Sequence, residues 1–126
     1  MHLHAVTIVV PDYDAGIAFY CGQVGFDLRA DIAQPDGKRW VMVAPKGSQA
    51  ALLLAQADGA QQRAAIGNQT GGRVGFFLHS DDFSTDHARM LKAGVAFDEA
   101  PRHATYGTVA VWHDPWGNRW DLLQLM

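Results

Sequence analysis

The hydrophobic positions of this chain change period in the same order twice. Residues 6–28 read VTIVVPDYDAGIAFYCGQVGFDL and residues 74–97 read VGFFLHSDDFSTDHARMLKAGVAF. Each copy is an apolar β-rich run, an acidic helix start, a short amphipathic stretch at helical spacing, and a glycine followed by a second apolar run. Gly25 and Gly94 lie 69 residues apart, and so do Asp12 and Asp81. An internal repeat fixes architecture before any single element does.

In the first copy, His2–Val10 predicts a strand. Pro11-Asp12-Tyr13-Asp14 ends it and starts a helix, with Asp12 or Asp14 as N-cap and Ile17, Tyr20, Cys21 and Val24 on the core face. Strands follow over Phe26–Ile32, Arg39–Val43 and Ala51–Gln56, separated by the turns Gln34–Gly37 and Pro45–Ser48. In the second copy, Gly72–His79 is a strand. Asp81 or Asp82 caps a helix with Phe83, His87, Met90 and Leu91 inward, and strands follow over Val95–Asp98, Tyr106–His113 and Arg119–Leu125. The unit is therefore β-α-β-β-β, present twice, an α+β chain with modules at 1–56 and 72–126. Residues 57–71 form a long connection, with one helical turn expected over Gln61–Ile66.

Composition narrows the function classes. At 126 residues the chain is a single domain by length, and a net charge of −3 leaves no basic footprint for nucleic acid. The apolar runs are too short to span a bilayer, no signal-peptide pattern opens the chain, and the lone Cys21 forms no internal disulfide, so a cytoplasmic setting is expected. Cys21 reads as a structural thiol on an apolar helix face. Phosphate-loop, dinucleotide and Gly-x-Ser-x-Gly fingerprints are absent.

The paired β-α-β-β-β units, the segment DYDAGIAFYCGQVGF and the ending DPWGNRWDLLQL resemble the vicinal oxygen chelate superfamily, which includes glyoxalase I, bleomycin-resistance proteins and extradiol dioxygenases. The resemblance implies two modules whose eight strands form a curved cup with helices outside, and a homodimer. It also implies a divalent metal (Mn, Fe, Ni or Zn) held by a His on the first strand, a Glu on the fourth, a His on the fifth and a Glu on the eighth. Carried over position by position, these become Ala5, Leu53, Arg73 and Asp121. One carboxylate among four positions does not make a transition-metal site, so no metal cofactor is expected. His4, one residue from the first position, points to the opposite strand face unless a bulge re-aims it. His4 with Asp121 is the alternative metal site.

In place of the metal, the expectation is an Arg73–Asp121 ion pair able to hold an anionic group. The expected cup lining adds Thr7, Trp40, Leu53, Phe77 and Trp112, the last on a strand face with Thr108, Ala110 and Asp121's neighbours. Apolar walls with few polar groups describe a small-molecule site, and the tryptophans suit an aromatic ligand. The leading expectation is thus a metal-free binder of a small aromatic or anionic molecule. The competing one is a lyase, isomerase or dioxygenase, with Arg73 and Asp121 as candidate catalytic groups.

Overall fold

Asp12 stops the first strand and starts the first helix: its backbone is extended, and its side chain accepts the Ala15 amide at 3.0 Å. The computed structural model describes residues 1–126. Strand β1 (Ala5–Val10) leads into helix α1 (Tyr13–Ile17), which widens into a π-helical stretch over Ala18–Val24. Gly25 ends it at a φ of 95°, a left-handed backbone that suits glycine. The N-terminal strand begins at Ala5 rather than His2. Strands β2 (Asp27–Ala33), β3 (Arg39–Ala44) and β4 (Ala51–Gln56) complete a sheet of order β1-β4-β3-β2, with β1 and β4 parallel. Helix α2 (Ala60–Ala65) realises the helical turn expected in the connection.

The second copy repeats the plan. Strand β5 (Val74–His79) is followed by helix α3 (Phe83–Lys92), capped by Asp82, whose side chain accepts the Thr85 amide at 3.2 Å. Strands β6 (Ala96–Phe97), β7 (Arg102–Ala104), β8 (Gly107–His113) and β9 (Arg119–Leu125) follow. The second sheet has the order β5-β9-β8-β6, with β7 pairing β8, and β5 lies parallel to β9. The fold is a mixed α and β architecture of nine strands in two open sheets with three α-helices. The ninth strand is β7, a short addition between the expected strands over Val95–Asp98 and Tyr106–His113. The chain forms two compact units, Met1–Ile66 and Gly67–Met126. No helix is long and apolar enough to cross a membrane.

In the first unit, Ile8, Val10, Val41, Val43 and Leu54 are buried beneath α1. Gly16 permits that approach, because a Cβ there would meet Val10 and lie 2.9 Å from Leu54 Cδ1. In the second unit a three-ring stack occupies the sheet: Phe76 lies on Trp120 at 4.7 Å between centroids, and Trp120 on Trp112 at 4.8 Å. Met90 of α3 and Leu122 of β9 are fully buried. Burial, aided by Asp27, pushes the Cys21 thiol up, which makes it a poorer nucleophile.

Candidate functional site

Directly paired strand residues point to the same side of a sheet, so the register assigns every candidate to a face. In the first unit Thr7 pairs with Leu53, and Leu53 with Met42. Trp40 follows Met42 on the same side by alternation and pairs with Ile32. Thr7, Leu53 and Trp40 therefore share the face turned away from α1, as expected. Met42, Ala44 and Ala51 form an apolar cluster there, with Ala5, Ala30 and Leu53 packed against it. Trp40 is 41% exposed. With Leu53, Tyr13, Lys38 and Arg39 it lines a groove of about 330 Å³. Arg39 is held by Asp14 at 3.0 Å and Asp31 at 2.7 Å, so its charge is neutralised within the unit.

In the second unit Phe77 pairs with Asp121, and Asp121 with Val111. This face also carries Val109, His113, Arg119 and Leu123. The opposite face carries Phe76, Trp112, Trp120, Leu122 and Gln124, and it is the helix side: Gln124 accepts the Phe83 amide at 2.8 Å. Trp112 is therefore corrected from the expected lining. It is fully buried on the helix side, inside the ring stack, and β8 presents Val109 and Val111 beside Asp121 instead of Ala110 and Trp112. The run Val109–Trp112 is apolar at every position, so its alternation carries no phase.

The Arg73–Asp121 ion pair is corrected as well. Arg73 lies exposed ahead of β5 and makes no ion pair. A bulge between Val74 and Phe76 shifts the register, and Phe77 takes the place opposite Asp121. Asp121 is 9% exposed, and its Oδ1 is buried with no hydrogen-bond partner. Burial pushes its carboxyl above the usual range. Arg102 opposes this, Glu99 adds to it, and Arg119 opposes it. Sequence reasoning missed Glu99 and Arg102. Glu99 accepts from Arg102 at 2.8 Å and, at 3.0 Å, from the amide of Val111, Asp121's ladder partner. No periodic signal marks the two residues, because β7 is only three residues long. His113 Nδ1 contacts Asp98 at 2.6 Å on this same side of the sheet.

A model of the Glyoxalase/Bleomycin resistance protein/Dioxygenase superfamily matches residues 2–122. The chain belongs to that superfamily. A protein of Shewanella frigidimarina (strain NCIMB 400) is 50% identical over 122 residues, covering 95% of this chain and 90% of its own. Among solved structures, TnmS3, an antibiotic-binding protein from Streptomyces sp. CB03234, is 34% identical with a TM-score of 0.81, covering all of this chain and 97% of its own. A glyoxalase/bleomycin resistance protein from the same organism is 34% identical with a TM-score of 0.76, covering 98% of this chain and all of its own.

Many superfamily members hold a divalent metal, and the donor set here does not fit one. The four positions supply a methyl group (Ala5), an isobutyl group (Leu53), an exposed guanidinium (Arg73) and one carboxyl (Asp121). No group of three or more His, Cys, Asp or Glu side chains is placed to hold a metal ion. His4 sits exposed ahead of β1, where its carbonyl accepts the Ala51 amide and its ring edges His2. Paired with Asp121 it would give two protein donors, fewer than transition-metal sites use.

Proposed function

We propose that this glyoxalase/bleomycin-resistance-type protein binds a small aromatic molecule in the Trp40 groove of its first unit, without a metal. The observation that carries the reading is that exposed Trp40 and Leu53 line one groove, with Leu53 packed against the Met42–Ala44–Ala51 cluster. An exposed indole next to aliphatic side chains binds a planar ring by stacking and dehydration. The 34% identical neighbour TnmS3, an antibiotic-binding protein, supports a small-molecule ligand. The protein is read as a cytoplasmic homodimer, which light scattering on the purified chain measures directly.

The test is a titration with 2-methoxynaphthalene and a panel of aromatic antibiotics, followed by calorimetry and by intrinsic tryptophan fluorescence compared between the unaltered protein and Trp40→Ala. The expected result is saturable quenching, with Trp40→Ala weakening binding about tenfold, as loss of a stacking platform predicts. Undiminished binding in both Trp40→Ala and Leu53→Asp would overturn the assignment. Metal analysis of untagged protein addresses the second half: stoichiometric Mn, Fe, Ni or Zn would restore the lyase, isomerase or dioxygenase reading.

A further inference from the structure

Tyr13 keeps a hydroxyl proton that the first unit does not use. The β3–β4 ladder runs from Val43 opposite Leu52 to Val41 opposite Leu54 and stops, while β3 continues against β2 through Trp40 and Arg39. Past that point the Arg39 amide donates to the Tyr13 hydroxyl at 3.2 Å. A phenolic oxygen that accepts one bond still has its own proton to donate. No group of the protein accepts that proton, although Tyr13 is only 8% exposed. Tyr13 lines the Trp40 groove, and also a second cavity of about 220 Å³ that shares Asp36 and Lys38 with it.

The hydroxyl is fixed before any ligand arrives. Gln56 accepts the Tyr13 amide at 3.3 Å, and the Arg39 guanidinium lies 5.2 Å from the ring centroid. The scaffold does not require a hydroxyl here. The matching position in the second unit is Phe83, which also follows the capping aspartate and donates its amide to a glutamine. A fixed donor in the wall of an aromatic groove suits an acceptor on the ligand. Charge decides which acceptor. Around the groove three carboxylates (Asp14, Asp31 and Asp36) stand against two cations (Lys38 and Arg39), which disfavours an anionic group and favours a neutral oxygen. We propose that Tyr13 donates a hydrogen bond to a neutral carbonyl oxygen on an aromatic ligand stacked on Trp40. This rests on the small-molecule reading above and deepens it by naming the ligand's polar group.

Calorimetry with two probes of nearly the same shape tests it: 2-acetylnaphthalene carries the carbonyl, and 2-isopropenylnaphthalene has a methylene group in place of the oxygen. Tyr13→Phe should weaken the ketone about fivefold, as expected for one neutral hydrogen bond, and leave the alkene within about twofold. Should that variant fail to fold by circular dichroism, the carbonyl stretch of 2-acetylnaphthalene bound to the unaltered protein decides. A lowered frequency that survives Lys38→Met and Gln34→Leu supports Tyr13, and an unshifted band, or one that either change restores, overturns it. Ketone affinity unchanged in Tyr13→Phe, or equal losses for both probes, overturns the Tyr13 assignment. The groove reading then stands as long as Trp40→Ala weakens the two probes alike. If the unaltered protein binds neither probe, both fall.

Discussion

The two units share a scaffold and differ in what they place at its centre. Each helix is started by an aspartate that accepts the amide three residues on, at 3.0 Å for Asp12 and 3.2 Å for Asp82. Each first helical amide is also met by a glutamine from the sheet, Gln56 on Tyr13 at 3.3 Å and Gln124 on Phe83 at 2.8 Å. Three residues before each glutamine stands the central position. It is Leu53 over an apolar cluster in one unit, and Asp121 with an orphaned oxygen in the other. The scaffold is thus indifferent to the chemistry at that point. A polar group there is a local cost that the second unit bears.

The largest test of this contrast lies in the turns. The β3–β4 connection is a light turn, in which Ser48 Oγ donates to the Ala50 carbonyl. The β8–β9 connection is built on fully buried Asp114, which accepts the amides of Trp116, Gly117 and Asn118 and the Asn118 side chain. Asp114→Ala should cost about 3 kcal/mol or more in urea denaturation, and Ser48→Ala about 1 kcal/mol or less. Equal costs would break the comparison.

Next in size, Asp121→Leu should stabilise the chain by about 1–3 kcal/mol by removing an unsatisfied buried group. In thermal melts that is a rise of at least about 3 °C. A fall in Tm would mean that Asp121 has a structural partner.

A pH series refines the same point. Burial holds the Asp121 carboxyl above its ordinary value, so the folded chain binds this proton more tightly than the unfolded chain. The stability this contributes is fully present below the unfolded value and is lost as pH rises through the folded one. Asp121→Asn abolishes the titration. Its Tm should therefore gain on that of the unaltered protein as the pH is raised above the ordinary carboxylate value of about 4. A constant difference above that pH would refute it.

The smallest effects concern the shared scaffold. Asp12→Ala and Asp82→Ala should each cost about 1 kcal/mol, alike in both units. Gln124→Ala should exceed Gln56→Ala by a few tenths of a kcal/mol, since its bond is shorter and its amide also reaches the Asp81 carbonyl.

The scaffold was legible in the sequence because caps, glycine stops and turns are local signals. Asp12, Gly25 and Gly94 all stand where the pattern places them. Strand phase at Thr7 and Leu53 came from the superfamily resemblance, since β1 and β4 show no alternation of polar and apolar residues. It failed over Val109–Trp112, where an unbroken apolar run hides which residues face the helix, and so Trp112 was misplaced. The Arg73 pairing failed for a different reason: the bulge between Val74 and Phe76, at Gly75, breaks the alternation that would put Arg73 on the Asp121 face. Glu99 and Arg102 were missed because a three-residue strand has too little sequence to show a period.

Gly67 bears on how this chain tolerates change in length. Its φ is 72°, and any Cβ there would collide with the Trp116 carbonyl. The connection between the repeats is therefore anchored at its downstream end, against the Asp114 turn. Its upstream end is more open: Gly59 has empty space around its α-carbon, and α2 buries none of its residues. A chain engineer who wishes to lengthen the tether, insert a tag or cut the repeats apart should work near Gly59. The same edit made eight residues later would pull on the turn that carries β8 into β9.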